Sequence, residues 1–167
     1  RSTYVLNTSG QLYGFGRGVT YNLPSYLNGP FDQSSPVQVG SSTYWKQVAA
    51  GFEHTAVIKT DGTLWTWGKN NYGQLGNGST TNYSSPIQIG LLTNWKQVSS
   101  SLSKTVAAVK TDGTLWTWGY NGNGQLGNDV TTNYSSPVQV GTLANWKQVS
   151  CGYAIMAIQS PDYYGNQ

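Results

Sequence analysis

Lys59-Thr60-Asp61-Gly62-Thr63-Leu64-Trp65-Thr66-Trp67-Gly68 occurs a second time, unchanged, at Lys110 to Gly119. The landmarks around the two copies keep one spacing: Gly62 and Gly113 stand 51 residues apart, as do Trp95 and Trp146, and Pro86 and Pro137. A period of that length means one supersecondary unit copied in tandem. Each unit is too small to bury its own apolar face and is stable only against its neighbours.

The repetition extends outward from this stretch. Trp45-Lys46-Gln47-Val48 returns at Trp95 to Val98 and at Trp146 to Val149. Gly73-Gln74-Leu75-Gly76 returns at Gly124 to Gly127, and a Ser-Pro-Val/Ile-Gln-Val/Ile-Gly run appears at Ser35 to Gly40, Ser85 to Gly90 and Ser136 to Gly141. Thr55 to Lys59 aligns with Thr105 to Lys110 with a one-residue offset, which sets His54 opposite Lys104. The chain therefore reads as a single repeat domain over 1–167, with cycles at about 3–51, 52–102 and 103–153 and a partial unit at 154–167.

Within a cycle every signal is β. Asp-Gly between runs of β-branched and aromatic residues predicts a hairpin with a two-residue primed turn, because glycine reaches positive φ without steric penalty. Thr63 to Trp67 alternates with period two, placing Leu64 and Thr66 on one face and Thr63, Trp65 and Trp67 on the other. Trp65 and Trp116 are expected to lie between sheets. Pro36, Pro86 and Pro137 each open a short strand, where the missing N–H costs least. Four short strands in about fifty residues make a propeller blade, so the expected fold is all-β, with about three four-stranded blades. Three cycles are fewer than the roughly four to eight blades that close a propeller, so the chain is expected to be a piece of a longer polypeptide or to be completed by further copies.

The order Gly51-x-x-His54-Thr55, Asp-Gly-x-Leu-Trp-x-Trp-Gly, Asn-x-x-Gly-Gln-Leu-Gly-Asn and Ser-Pro-Val-Gln-Val-Gly resembles the regulator of chromosome condensation repeat over roughly residues 3–159. The resemblance implies a seven-bladed β-propeller, and functions ranging from guanine nucleotide exchange on a small GTPase to binding of proteins, chromatin and membrane surfaces. Fold alone does not choose among them. Exchange would need an acidic wedge and a whole ring of blades, whereas this chain has six acidic residues spread along its length. The first cycle departs from the pattern. It has Tyr13-Gly14-Phe15-Gly16 in place of Trp-Thr-Trp-Gly and a loop from Arg17 to Ser34 that carries Tyr21 and Tyr26. Such a loop suits either a terminal unit or a contact with a partner.

Only 9% of the residues are charged, against about 25% in typical soluble domains. Asn, Gln, Ser, Thr, Gly and Tyr take over the surface, a composition that points to an extracellular or virion-surface setting. The net charge of +3 is carried by scattered lysines, so no nucleic-acid footprint forms, and no apolar run is long enough to span a membrane. Cys151 occupies the small-residue slot of Ala50 and Ser100, which predicts a structural thiol. His54 is the only histidine and Glu53 the only glutamate, and Asp61 and Asp112 serve the turns. No acid, base, nucleophile or metal set emerges, so neither catalysis nor a cofactor is expected. The four Asn-x-Ser/Thr sequons, at Asn7, Asn77, Asn82 and Asn133, mark surface loops.

The candidate binding residues are loop aromatics and amides: Tyr72, Asn82, Tyr83, Asn133, Tyr134, Tyr21 and Tyr26. Asn82-Tyr83 and Asn133-Tyr134 set an amide beside an aromatic in successive units, a combination suited to sugars, or else to capping the blade. The expected function is a non-enzymatic structural or binding module of a surface assembly, working through blade loops and strand edges. Its expected partners are proteins or further copies, with glycans as the alternative of an adhesin. An intracellular scaffold is the remaining reading.

Overall fold

The computed structural model describes residues 2–16 and 33–160 of the 167-residue chain. All regular structure among the described residues is β. The first sheet holds β1 (Ser2–Leu6), β2 (Leu12–Gly16) and β3 (Gln33–Gln38). A complete four-stranded sheet follows, made of β4 (Trp45–Ala50), β5 (His54–Lys59), β6 (Leu64–Gly68) and β7 (Tyr83–Gln88). Its copy comprises β8 (Trp95–Ser100), β9 (Thr105–Lys110), β10 (Leu115–Gly119) and β11 (Tyr134–Gln139). Strands β12 (Trp146–Cys151) and β13 (Ile155–Gln159) form the last sheet. Each complete sheet is an antiparallel meander that begins at the Trp-Lys-Gln-Val strand. The cycles drawn at 3–51, 52–102 and 103–153 are thus out of phase with the sheets, and each contributes strands to two of them.

The Asp-Gly turn differs from the expected two-residue primed form. Gly62 N–H donates to Lys59 O and Lys59 N–H to Thr63 O, so the turn runs over Lys59 to Gly62. Gly62 alone takes positive φ, at +80°. Asp61 is kept out of the left-handed region because its carboxylate accepts from the Thr63 N–H at 2.9 Å and the Thr63 hydroxyl at 2.7 Å. A three-residue hairpin loop with glycine in the left-handed position results. Gly62 also latches the next sheet: its carbonyl accepts from Trp95 N–H, and a Cβ there would strike Thr93 O. Gly113 does the same with Trp146 and Ala144.

The period-two pattern places both faces of the β4–β7 sheet in cores. Ala56, Ile58 and Leu64 pack with Trp95, Val98, Val106, Ala108 and Trp118 of the following sheet. Val57, Trp65 and Trp67 pack the other way, with Leu12, Val39 and Trp45. Trp67 and Trp118 are fully buried, at 0% exposure, while Trp65 and Trp116 lie on the same faces but are half-buried. The indoles on each face therefore differ in depth, the one nearer the C-terminal end of each strand being the more enclosed. Full burial of a large apolar side chain contributes on the order of 1.5–3 kcal/mol, so Trp67 and Trp118 anchor the stack.

Neighbouring sheets are also stitched along their first strands. Gln47 donates from Nε2 to Val98 O (3.2 Å) and accepts from Val98 N–H (3.0 Å). Gln97 repeats the clamp on Val149, at 3.1 and 2.9 Å. A bulge precedes each clamp, between Trp45 and Gln47 and between Trp95 and Gln97.

Candidate functional site

Antiparallel order assigns the loops to two ends. One end carries the β4–β5 and β8–β9 loops together with the long β6–β7 and β10–β11 loops. The other carries the Asp-Gly turns and the links that lead to the next sheet.

The long loop is organised by Asn70, which is fully buried. Its Nδ2 donates to Asn77 Oδ1, Ser79 O and Thr81 O, its Oδ1 accepts from Leu75 N–H, and its own N–H donates to Asn82 Oδ1 at 2.7 Å. Asn121 holds the copy in the same way, with its N–H donating to Asn133 Oδ1 at 2.8 Å. The amide carbonyls of Asn82 and Asn133 thus close their own loops. Tyr134 opens β11 and packs against the core, and Tyr83 opens β7 opposite Gly68. Tyr21 and Tyr26 lie outside the described residues. Asn70 and Asn121 were legible only as the first letter of Asn-x-x-Gly-Gln-Leu-Gly-Asn.

Tyr72 has a different setting. Its ring meets Tyr120 edge-on at 5.1 Å, and Lys104 Nζ stands 4.5 Å above it. This cluster bridges the two complete sheets at the loop end. Strand register identifies its origin, because His54 pairs with Gly68 and Thr105 with Gly119. Glu53, not His54, therefore occupies the slot of Lys104, and Lys69 that of Tyr120. One sheet fills these slots with a Lys69–Glu53 ion pair of 2.7 Å, while the other presents a lysine and a tyrosine. The missed residues Lys104 and Tyr120 could have been found by comparing slots between copies.

The same end carries exposed apolar residues on the equivalent loop of three successive sheets. Phe52 is 39% exposed, Leu102 41% and Tyr153 86%. Isolated exposed apolar residues are ordinary, but one on the same loop of each sheet forms a repeated surface feature.

The side chains nearest to chemistry are engaged structurally. His54 is buried, its Nε2 lies 2.6 Å from Ser100 Oγ, and burial lowers its pKa to about 4. No carboxylate stands behind it, since its Nδ1 has no hydrogen-bond partner and Glu53 is tied to Lys69. The pair therefore lacks the orienting acid of a hydrolase triad. Cys151 is half-buried, and burial pushes its thiol up to about 11, which disfavours the nucleophilic thiolate. Among the described residues no group of His, Cys, Asp and Glu could hold a metal ion.

Comparison with known proteins agrees with the repeat reading. The family model described as Regulator of chromosome condensation (RCC1) repeat matches residues 9–58, 61–108 and 112–158. Probable E3 ubiquitin-protein ligase HERC4 of Homo sapiens is 31% identical over 166 residues, a match covering 97% of this chain and 15% of HERC4. The Ultraviolet-B receptor UVR8 of Arabidopsis thaliana is 36% identical over 156 residues, covering 90% of this chain and 35% of the receptor. Human WBSCR16 superposes with a TM-score of 0.82 at 23% identity, over 95% of this chain and 42% of that one. Prp20p from Saccharomyces cerevisiae, described with its binding properties to Gsp1p and histones, superposes with a TM-score of 0.78 at 15% identity, over 96% and 42%. The chain spans less than half the length of each of these proteins.

Proposed function

The chain belongs to the Regulator of chromosome condensation (RCC1) repeat family, and on that premise we propose that it is a non-enzymatic protein-binding module whose partner docks on the loop end of the propeller. The observation that carries this reading is the exposed series Phe52, Leu102 and Tyr153, set beside the Tyr72–Tyr120–Lys104 cluster. Aromatic side chains are enriched among the energetic centres of protein interfaces. Prp20p, which shares the fold, is described by its protein partners, which supports binding as the role. The ligase activity in the name of HERC4 belongs to a protein of which this chain spans 15%. The low charge and the polar, Tyr-rich composition support placing the module in an extracellular or virion assembly. That setting appears in none of the names given above, and immunodetection of the chain in fractionated source material tests it.

The binding claim is tested by quantitative affinity capture from source extract. The chain is compared with a Phe52→Asp, Leu102→Asp, Tyr153→Asp variant and with a Leu91→Asp, Leu143→Asp control at the opposite end. Proteins retained by the chain and by the control should drop at least about tenfold on the triple variant. Equal retention by all three overturns the assignment of the docking end.

A further inference from the structure

The flank between the two complete sheets holds a cleft of about 400 Å³ that reaches the long β6–β7 loop at Gly76, Asn77 and Gly78. Its apolar surface is formed by Ile89 and Leu92 on one side and by Trp95, Trp116 and Pro137 on the other, with Asn77, Gln88 and Ser136 also in the lining. One cation, Lys110, lines it. Lys110 is 6% exposed, and its ammonium lies over two indoles, 3.6 Å from the Trp116 ring centroid and 4.8 Å from that of Trp95. Among the described residues no carboxylate comes within ion-pair distance of it. Asp112 acts on it only through space, and the Asp112 carboxylate is already bound by the Thr114 N–H and hydroxyl. Trp95, 3% exposed, lines the same cleft with an indole N–H that finds no acceptor, as in Trp45 and Trp146.

An ammonium covered by ring faces in this way is commonly paired, because withdrawing it from water is costly and ring faces recover only part of that cost. Desolvation lowers the Lys110 pKa, as expected of an ammonium without an anion. The cleft is within the size range of small-ligand sites, and its single charged group would fix the orientation of whatever enters.

We propose that this inter-sheet cleft binds an apolar carboxylate, its ring or branched chain lying against Ile89, Leu92, Trp116 and Pro137 and its carboxylate pairing with the Lys110 ammonium. That chemistry is found both in a free aromatic acid and at a polypeptide C-terminus ending in an apolar residue.

Titration of the 18.1 kDa chain, followed by the indole N–H signals of Trp95 and Trp116 in proton–nitrogen correlation spectra, distinguishes these sources. The probes are phenylacetate, phenylacetamide, and a tetrapeptide ending in Phe with a free or an amidated C-terminus. Saturable shifts are expected with the two acids, with each amide at least about tenfold weaker. Tighter binding of the free-ended tetrapeptide than of phenylacetate assigns the site to a protein terminus, and the reverse order to a free acid. Lys110→Met should abolish binding. Since Lys110 also packs on the indoles, Leu92→Asp gives an independent test: Leu92 is 48% exposed at the rim, and a carboxylate there should weaken the acids at least about tenfold. Leu143→Asp, the same change on the next link, should leave binding unchanged. Equal binding of acid and amide, no saturation by about 10 mM, or wild-type affinity in Leu92→Asp overturns the proposal.

Discussion

Gly73-Gln74-Leu75-Gly76 and Gly124-Gln125-Leu126-Gly127 are the same four residues in the same fold, yet the first loop is wholly buried and in the second only Leu126 is. What separates them is the neighbouring sheet. Over the first loop lies Trp118, whose Nε1–H donates to Gln74 O at 3.0 Å. Beside the second, where β12 and β13 are the strands described, stands a cavity of about 560 Å³ lined by Gln125, Leu126, Trp146, Tyr153 and Ile155 among others. Local sequence builds the loop in both places. Burial comes only from the adjacent repeat, which is the nearest-neighbour energetics of tandem arrays made visible inside one chain.

The largest expected effect removes the seated indole. Trp118→Ala should cost about 3–5 kcal/mol in urea unfolding, because it opens a cavity in a closed interface. Trp116→Ala, on the same strand but half-buried, should cost about 2 kcal/mol. Equal losses would mean that depth along the strand does not matter within the closed interface.

Between pH 6.5 and about 4, acid probes the closed interface through His54. His54 spans it to Ser100, and its pKa is about 4 in the fold against 6.5 in the free side chain. The unfolded chain therefore takes up a proton between those values that the folded chain refuses. Stability contributed by the neutral imidazole is present above pH 6.5 and is lost as pH falls towards 4, by up to about 3 kcal/mol. His54→Gln should flatten the stability profile over that window, and an unchanged slope would place the titration elsewhere.

The same contrast explains what was legible in the sequence. Strands, repeat spacing and the alternation of Leu64 against Trp65 and Trp67 follow from local pattern, and the sheets bear them out. The depth of Trp67 relative to Trp65 depends on the neighbouring sheet and has no period-two signature. The turn form was hidden because the Asp61 side chain, not the backbone preference of Asp-Gly, decides it. The Tyr72–Tyr120–Lys104 cluster joins residues from three different repeat slots, so no single repeat displays it.

A smaller effect compares two glycines of matching φ, +76° at Gly76 and +66° at Gly127. Alanine at either adds left-handed strain of about 1 kcal/mol. At Gly76 the new Cβ would also press on Trp118 Nε1, whereas at Gly127 the nearest atom is Val140 Cγ1 at 4.0 Å. Gly76→Ala should therefore lose about 2 kcal/mol or more and Gly127→Ala about 1 kcal/mol, measured by thermal unfolding.

The smallest effect concerns the glutamine clamps, three copies of one residue in one motif. Gln97 satisfies both backbone groups of Val149, which is 2% exposed. Truncation leaves a buried N–H and a buried C=O unpaired at that junction, a loss of about 1–2 kcal/mol. Gln47 makes the same pair of bonds to Val98, so Gln47→Ala should match it. Gln148 is exposed, and no such clamp is described for it. Gln148→Ala should therefore stay within about 0.5 kcal/mol of the parent chain. Hydrogen exchange at the Val98 and Val149 amides is the sharper measurement, since each clamp protects one of them directly. Faster exchange at Val149 alone in Gln97→Ala, and at Val98 alone in Gln47→Ala, would show that each junction is held locally. Faster exchange at both amides in either variant would instead mean that the sheets open as one unit, and that the open and closed interfaces differ in packing without differing in cooperativity.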